Sequence, residues 1–195
     1  MSGNSWRLLG VCLVVAGGMG QRCEAQASDP DPIIVISVEN PNGLAGPGLV
    51  RAQALATKIY QQAGITLRWT IEETTLADRT LTLVLTTSAA APSDLASDTM
   101  GVAPSPGDGT RGTMAYIFID KVTAFAASHR LAAKDVLACA LAHEIGHLLL
   151  PPNAHRPDGI MRGDWYPALF PPQSPGVLGF PPEQARLLRL RARRQ

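Results

Sequence analysis

The sequence predicts an α+β domain in which helices cover a small, twisted, mixed sheet. Three observations predict it. Short β-branched or alternating apolar runs recur at 33–38, 65–71, 81–85 and 114–119. Between and after them, at about 49–63, from about 133 and again after Pro181, the pattern turns helical. The order is therefore strand, helix, strand, strand, long loop, strand and then helices, which suits helices layered on one sheet.

Residues 1–27 read as an export signal. Arg7 is the basic start, 8–19 form an apolar run with Val11, Leu13, Val14 and Val15, and Ala25-Gln26-Ala27 precedes Ser28 as a cleavage site. The run is too short for a permanent membrane span. The expected product is an exported protein, secreted or periplasmic, with 28–195 as a single domain. Cleavage there removes Cys12 and Cys23 and leaves Cys139 alone among apolar neighbours, so the domain is expected to be held by its core and Cys139 to be a buried, inert thiol. With 17 Lys and Arg against 16 Asp and Glu, the charge balance argues against nucleic acid as a partner. The arginines near the end (Arg186, Arg189, Arg191, Arg193, Arg194) read as a solvated helix face.

Ile33-Ile34-Val35-Ile36-Ser37-Val38 is expected to be a strand buried on both faces. Asn40-Pro41-Asn42-Gly43 turns the chain. The helix that follows places Ala52, Leu55, Ala56, Ile59 and Gln62 on one face, with Gly64 at its C-terminal cap. Ile65, Leu67, Trp69 and Ile71 alternate with polar residues, and Leu81, Leu83 and Leu85 mark a third strand. Residues 91–113, rich in Pro, Gly, Ser and Asp, read as a long loop. Its Asp94, Asp98 and Asp108 lack calcium-loop spacing and read as solvated turns. Pro181-Pro182-Glu183 opens a last helix through Leu190.

The chemistry lies in Leu141-Ala142-His143-Glu144-Ile145-Gly146-His147, on a helix whose apolar positions suit near-complete burial. Four residues apart, His143 and His147 project from one face, so both imidazoles can meet one zinc ion. Glu144 is rotated about 100° from His143, within reach of a water at the metal without being a ligand. An ionisable His-Glu-His triplet in an Ala/Leu/Ile helix is costly to bury uncompensated, and a metal is the simplest compensation. A third ligand is needed, and His155 leads. Pro151-Pro152 must stop the helix, Leu150 before proline leaves helical conformation, and Asn153 tolerates a left-handed turn that returns the chain. Asp158, Asp164 and Glu183 are the alternatives. His129 stands apart, on a helix surface or in a turn.

These residues resemble the metzincin clan of zinc peptidases, whose signature is His-Glu-x-x-His-x-x-Gly-x-x-His followed by a turn containing a methionine. The chain departs from it: Leu150 stands at the signature glycine, Asn153 at the third histidine, and His155 comes two residues late. The resemblance implies that Met161, in Gly159-Ile160-Met161, backs the site without ligating. It also implies a cleft whose edge strand binds extended substrate, with Tyr116 and Phe118 as candidates for its rim and the loop 91–113 draped over it. Arg162, Trp165 and Tyr166 are candidates to line the cleft, Arg162 and Tyr166 also to stabilise an oxyanion.

The expected function is an exported, monomeric zinc metallopeptidase acting on a peptide or protein substrate, with one catalytic Zn2+ and Glu144 as general base and acid. Two other readings stay open: a non-catalytic zinc-stabilised domain that binds a partner in its cleft, and a zinc hydrolase of a non-peptide amide.

Overall fold

The computed structural model of the chain describes residues 30–41, 43–70, 80–91, 95–96, 98–104, 112–165 and 178–194. The expected export signal, Asp94, Asp108 and Tyr166 lie outside them. The described residues form an α+β fold with a five-stranded mixed sheet and four helices. Strand β1 (Ile33–Glu39) leads into helix α1 (Gly48–Gln62), then β2 (Thr66–Thr70) and β3 (Thr80–Thr86). A single 3-10 turn at Ser88–Ala90 and a short strand β4 (Gly101–Val102) precede β5 (Met114–Phe118). Helices α2 (Ile119–Ser128), α3 (Ala133–Leu149) and α4 (Pro182–Ala192) follow.

Across the sheet the order is β2-β1-β3-β5-β4. The first four strands run parallel, and β4 runs antiparallel along β5 as the edge, with Val102 opposite Tyr116. Ile34, Ile36 and Val38 of β1, Leu81, Leu83 and Leu85 of β3, and Ala115 and Ile117 of β5 seal one face of the core. Helix α1 packs on α3, α2 flanks α3, and α3 lies against β3, β4 and β5. No helix among the described residues is long and apolar enough to cross a membrane.

Several expectations need correction. Strand β1 is not sealed evenly: Ile33 is exposed and Val35 half-buried, so one face carries most of the burial. On α1 the inward face is Ala52, Ala56, Ile59 and Tyr60, while Gln62 is exposed. A tyrosine there is accommodated because its hydroxyl donates to the Ala142 carbonyl at 3.0 Å, so burial leaves no orphaned group. The stretch 91–113 is not only loop, since β4 lies within it. Helix α2 is an addition to the predicted elements: Ile119, Val122 and Ala126 hold its buried face and Asp120 its first turn. Arg189 is half-buried rather than solvated, and its guanidinium donates to the Ala63 carbonyl at 2.7 Å, satisfying the end of α1.

Other local readings hold. Gly64 follows α1 at φ +71°. Leu150 caps α3 in extended conformation (φ −89°, ψ 164°), as a residue before proline should, and Asn153 is left-handed at φ +59°. Cys139 is buried, and that burial pushes its thiol up to about 12. His129 ends α2, exposed, with its ring 4.3 Å from that of Phe125.

Candidate metal centre

Helix α3 is buried along almost its whole length, so it carries His143 and Glu144 into the interior with only 8% and 5% of their surface exposed. His147 lies one turn further, half-buried, and His155 comes back from the loop beyond the helix, exposed. Their Nε2 atoms form a triangle: 3.0 Å from His147 to His143, 3.0 Å from His147 to His155, and 3.3 Å from His155 to His143. Among the described residues, only these three gather as a group able to hold a metal ion. Asp164 is instead turned to Arg162 and Glu183 to Arg156, both well exposed, and Asp158 is exposed too.

The triangle suits a cation. Three nitrogens each about 2.0–2.1 Å from one tetrahedral ion stand about 3.3 Å apart, close to the observed spacing. His143 Nδ1 lies 2.8 Å from the Ile160 carbonyl, which can only accept, so the ring proton sits on Nδ1 and the Nε2 lone pair faces the other two rings. Burial pushes His143 down to about 4 and His147 to about 3; for both rings the neighbouring imidazoles act in the same direction. Both are therefore neutral at pH 7, the form that ligates. Burial alone pushes Glu144 up to about 8. Its Oε2 is buried without a hydrogen-bond partner among the described residues, an arrangement that a nearby cation or water would compensate.

Glycines bring the supporting parts close. A Cβ at Gly146 would overlap Met161 Sδ, so the bare helix backbone lets a fully buried methionine lie against it. A Cβ at Gly101 on β4 would come within 2.8 Å of Glu144 Cγ and Oε1, so only glycine lets the edge strand rest on that carboxyl side chain. Sequence alone does not mark either glycine: Gly146 lies inside the motif, but the Met161 it accommodates comes from a separate turn.

A cavity of about 370 Å³ opens over the cluster. His143, Glu144, His147 and His155 line it together with Thr99 to Ala103 around β4, and with Phe125, Arg162 and Trp165. The expectation that the stretch 91–113 borders the cleft therefore holds for its described part. The expected rim does not. Neither Tyr116, which is half-buried, nor Phe118, buried at 2% exposure, lines the cavity; β5 is an inner strand, and β4 forms the edge. Trp165 sets its ring edge-on to His143 at 5.6 Å and donates from Nε1 to the Arg162 carbonyl. Arg162 itself donates to the Pro157 carbonyl and pairs with Asp164, bracing the loop beside His155.

A comparison with protein-family models finds no match, and neither does a comparison with curated proteins. The arrangement itself must carry the functional reading.

Proposed function

We propose that the protein is a zinc-dependent metallopeptidase, exported by its first 27 residues, with His143, His147 and His155 as the ligands. The observation that carries this reading is the triangle of three Nε2 atoms sharing one cavity with the Glu144 carboxyl group. A zinc ion held there supplies Lewis acidity towards a carbonyl oxygen. Glu144 takes a proton from the attacking water as the water oxygen bonds to the carbonyl carbon. It then delivers that proton to the nitrogen as the C–N bond breaks, so water is added across the peptide bond. Burial holds the Glu144 carboxyl towards its protonated form in the metal-free fold, and a cation in the same cavity would favour the carboxylate that accepts the water's proton.

A metzincin-like arrangement is supported by three features. An antiparallel edge strand borders the cleft, Met161 lies buried against the motif helix, and the left-handed turn absent from Leu150 is made by Asn153. A catalytic role is favoured over a structural one because the group offers three protein ligands among the described residues, whereas structural zinc sites are closed by four. The test is direct. Protein purified without chelators should contain about one zinc per chain and hydrolyse a peptide library in a chelator-sensitive way. Glu144→Gln should keep the zinc and lose hydrolysis by at least about 100-fold; full activity in that variant would end the peptidase reading.

A further inference from the structure

His155 is the one member of the cluster that no regular element carries, which raises the question of what fixes it. The residues on either side of it are both held by the first turn of α4. Gln184 Nε2 donates to the Ala154 carbonyl at 2.8 Å, and Glu183 Oε2 accepts from Arg156 Nη2 at 3.1 Å. The loop also closes on itself, with Arg156 N donating to the Met161 carbonyl at 2.9 Å. The two grips from α4 differ in kind. Glu183 is 73% exposed, and such a surface pair contributes little. Gln184 is 3% exposed, and its Oε1 is buried with no hydrogen-bond partner among the described residues.

An orphaned amide oxygen in the interior lowers stability, and an apolar residue of similar shape would avoid that loss. Ala154 itself is half-buried. What the amide does supply is a directional tether one residue before His155. We infer that Gln184 is a positioning residue for the third metal ligand: it fixes the backbone at Ala154 so that the His155 imidazole meets those of His143 and His147. This rests on the reading of the three histidines as a metal site.

The experiment measures the zinc affinity of the full chain by competition with a fluorescent chelator, for wild type, Gln184→Met, His155→Ala and the double variant. Gln184→Met keeps the side chain's length and removes both polar atoms; Gln184→Leu repeats the test should the Met variant misfold. The expected result is a loss of about 10-fold in affinity for Gln184→Met, the lower end of what supporting groups around a metal contribute. In the His155→Ala background the same substitution should change nothing, because the residue acts through His155. The melting temperature of the metal-free protein should stay within about 2 °C. Wild-type affinity in Gln184→Met, or an equal loss in both backgrounds, would overturn the inference. If wild type and His155→Ala bind zinc alike, the metal-site reading falls first, and the inference with it.

Discussion

The helix and the loop that build the candidate metal centre solve the same problem by different means. On α3, His143 and His147 are aligned by the helical repeat itself, on a helix buried along almost its whole length, with His143 buried and His147 half-buried. On the loop, His155 is brought to the same point by a chain of separate devices: an extended Leu150 before two prolines, a left-handed Asn153, and the tethers from α4. A ligand on a buried helix is preordered as soon as the fold exists. A ligand on an exposed loop keeps conformational freedom that must be lost on binding, roughly 1–2 kcal/mol for each residue fixed. The helix half of the site should therefore be rigid and chemically perturbed, and the loop half adaptable.

The largest test of this contrast concerns the helix half and protons. Glu144 is raised from its ordinary value to about 8 in the metal-free fold, so the folded state holds its proton where the unfolded chain has released it. Its favourable contribution is complete below the unfolded value of about 4.5 and is lost as pH rises through 8. Raising the pH from 5 to 9 should therefore destabilise metal-free wild type relative to Glu144→Gln, by on the order of 4 kcal/mol. Urea titrations at both pH values check it, and parallel curves would contradict it. His143 and His147, depressed to about 4 and 3, act in the opposite direction. The stability linked to their neutral forms is present above about 6.5 and is lost as pH falls through 4 and 3.

Next in size is the loss of a ligand. If the roughly 10–16 kcal/mol of a four-ligand zinc site is shared evenly, each ligand contributes roughly 2.5–4 kcal/mol. His143→Ala should weaken zinc binding by that amount. His155→Ala should cost about 1–2 kcal/mol less, because the loop no longer has to be ordered. Equal losses measured by chelator competition would break the contrast between rigid and adaptable halves.

Gly146→Ala comes third. The added methyl would overlap Met161 Sδ in a fully packed interior, so a loss of about 1–3 kcal/mol in denaturant stability is expected. The smallest effect belongs to the loop. Asn153→Ala puts a less tolerant residue at φ +59° and should cost about 1 kcal/mol, whereas Asn153→Gly should be close to neutral.

The same contrast explains what could be read from the sequence. Helix α3 was legible because its chemistry and its periodicity occupy one continuous segment, and a helix places His143 and His147 without any distant partner. The end of α3 and the turn at Asn153 were legible because proline and asparagine act locally. Strand β4 was not, since two residues, Gly101 and Val102, carry no pattern and become a strand only by pairing with Ile117 and Tyr116 of β5. The inward turn of Tyr60 needed the Ala142 carbonyl, 82 positions away, and the hold of Gln184 on Ala154 joins residues 30 positions apart. Helix α2 was a different case: its Ile119, Val122 and Ala126 spacing was present, but the preceding apolar strand runs straight into it without a punctuating residue.

The central claim is that His143, His147 and His155 together hold one zinc ion. X-ray absorption at the zinc edge on the purified protein tests it most directly. Three imidazole nitrogens and one non-protein oxygen are expected at about 2.0–2.1 Å, with one imidazole lost in His155→Ala. A spectrum with sulfur at about 2.3 Å, or one unchanged by His155→Ala, would contradict it.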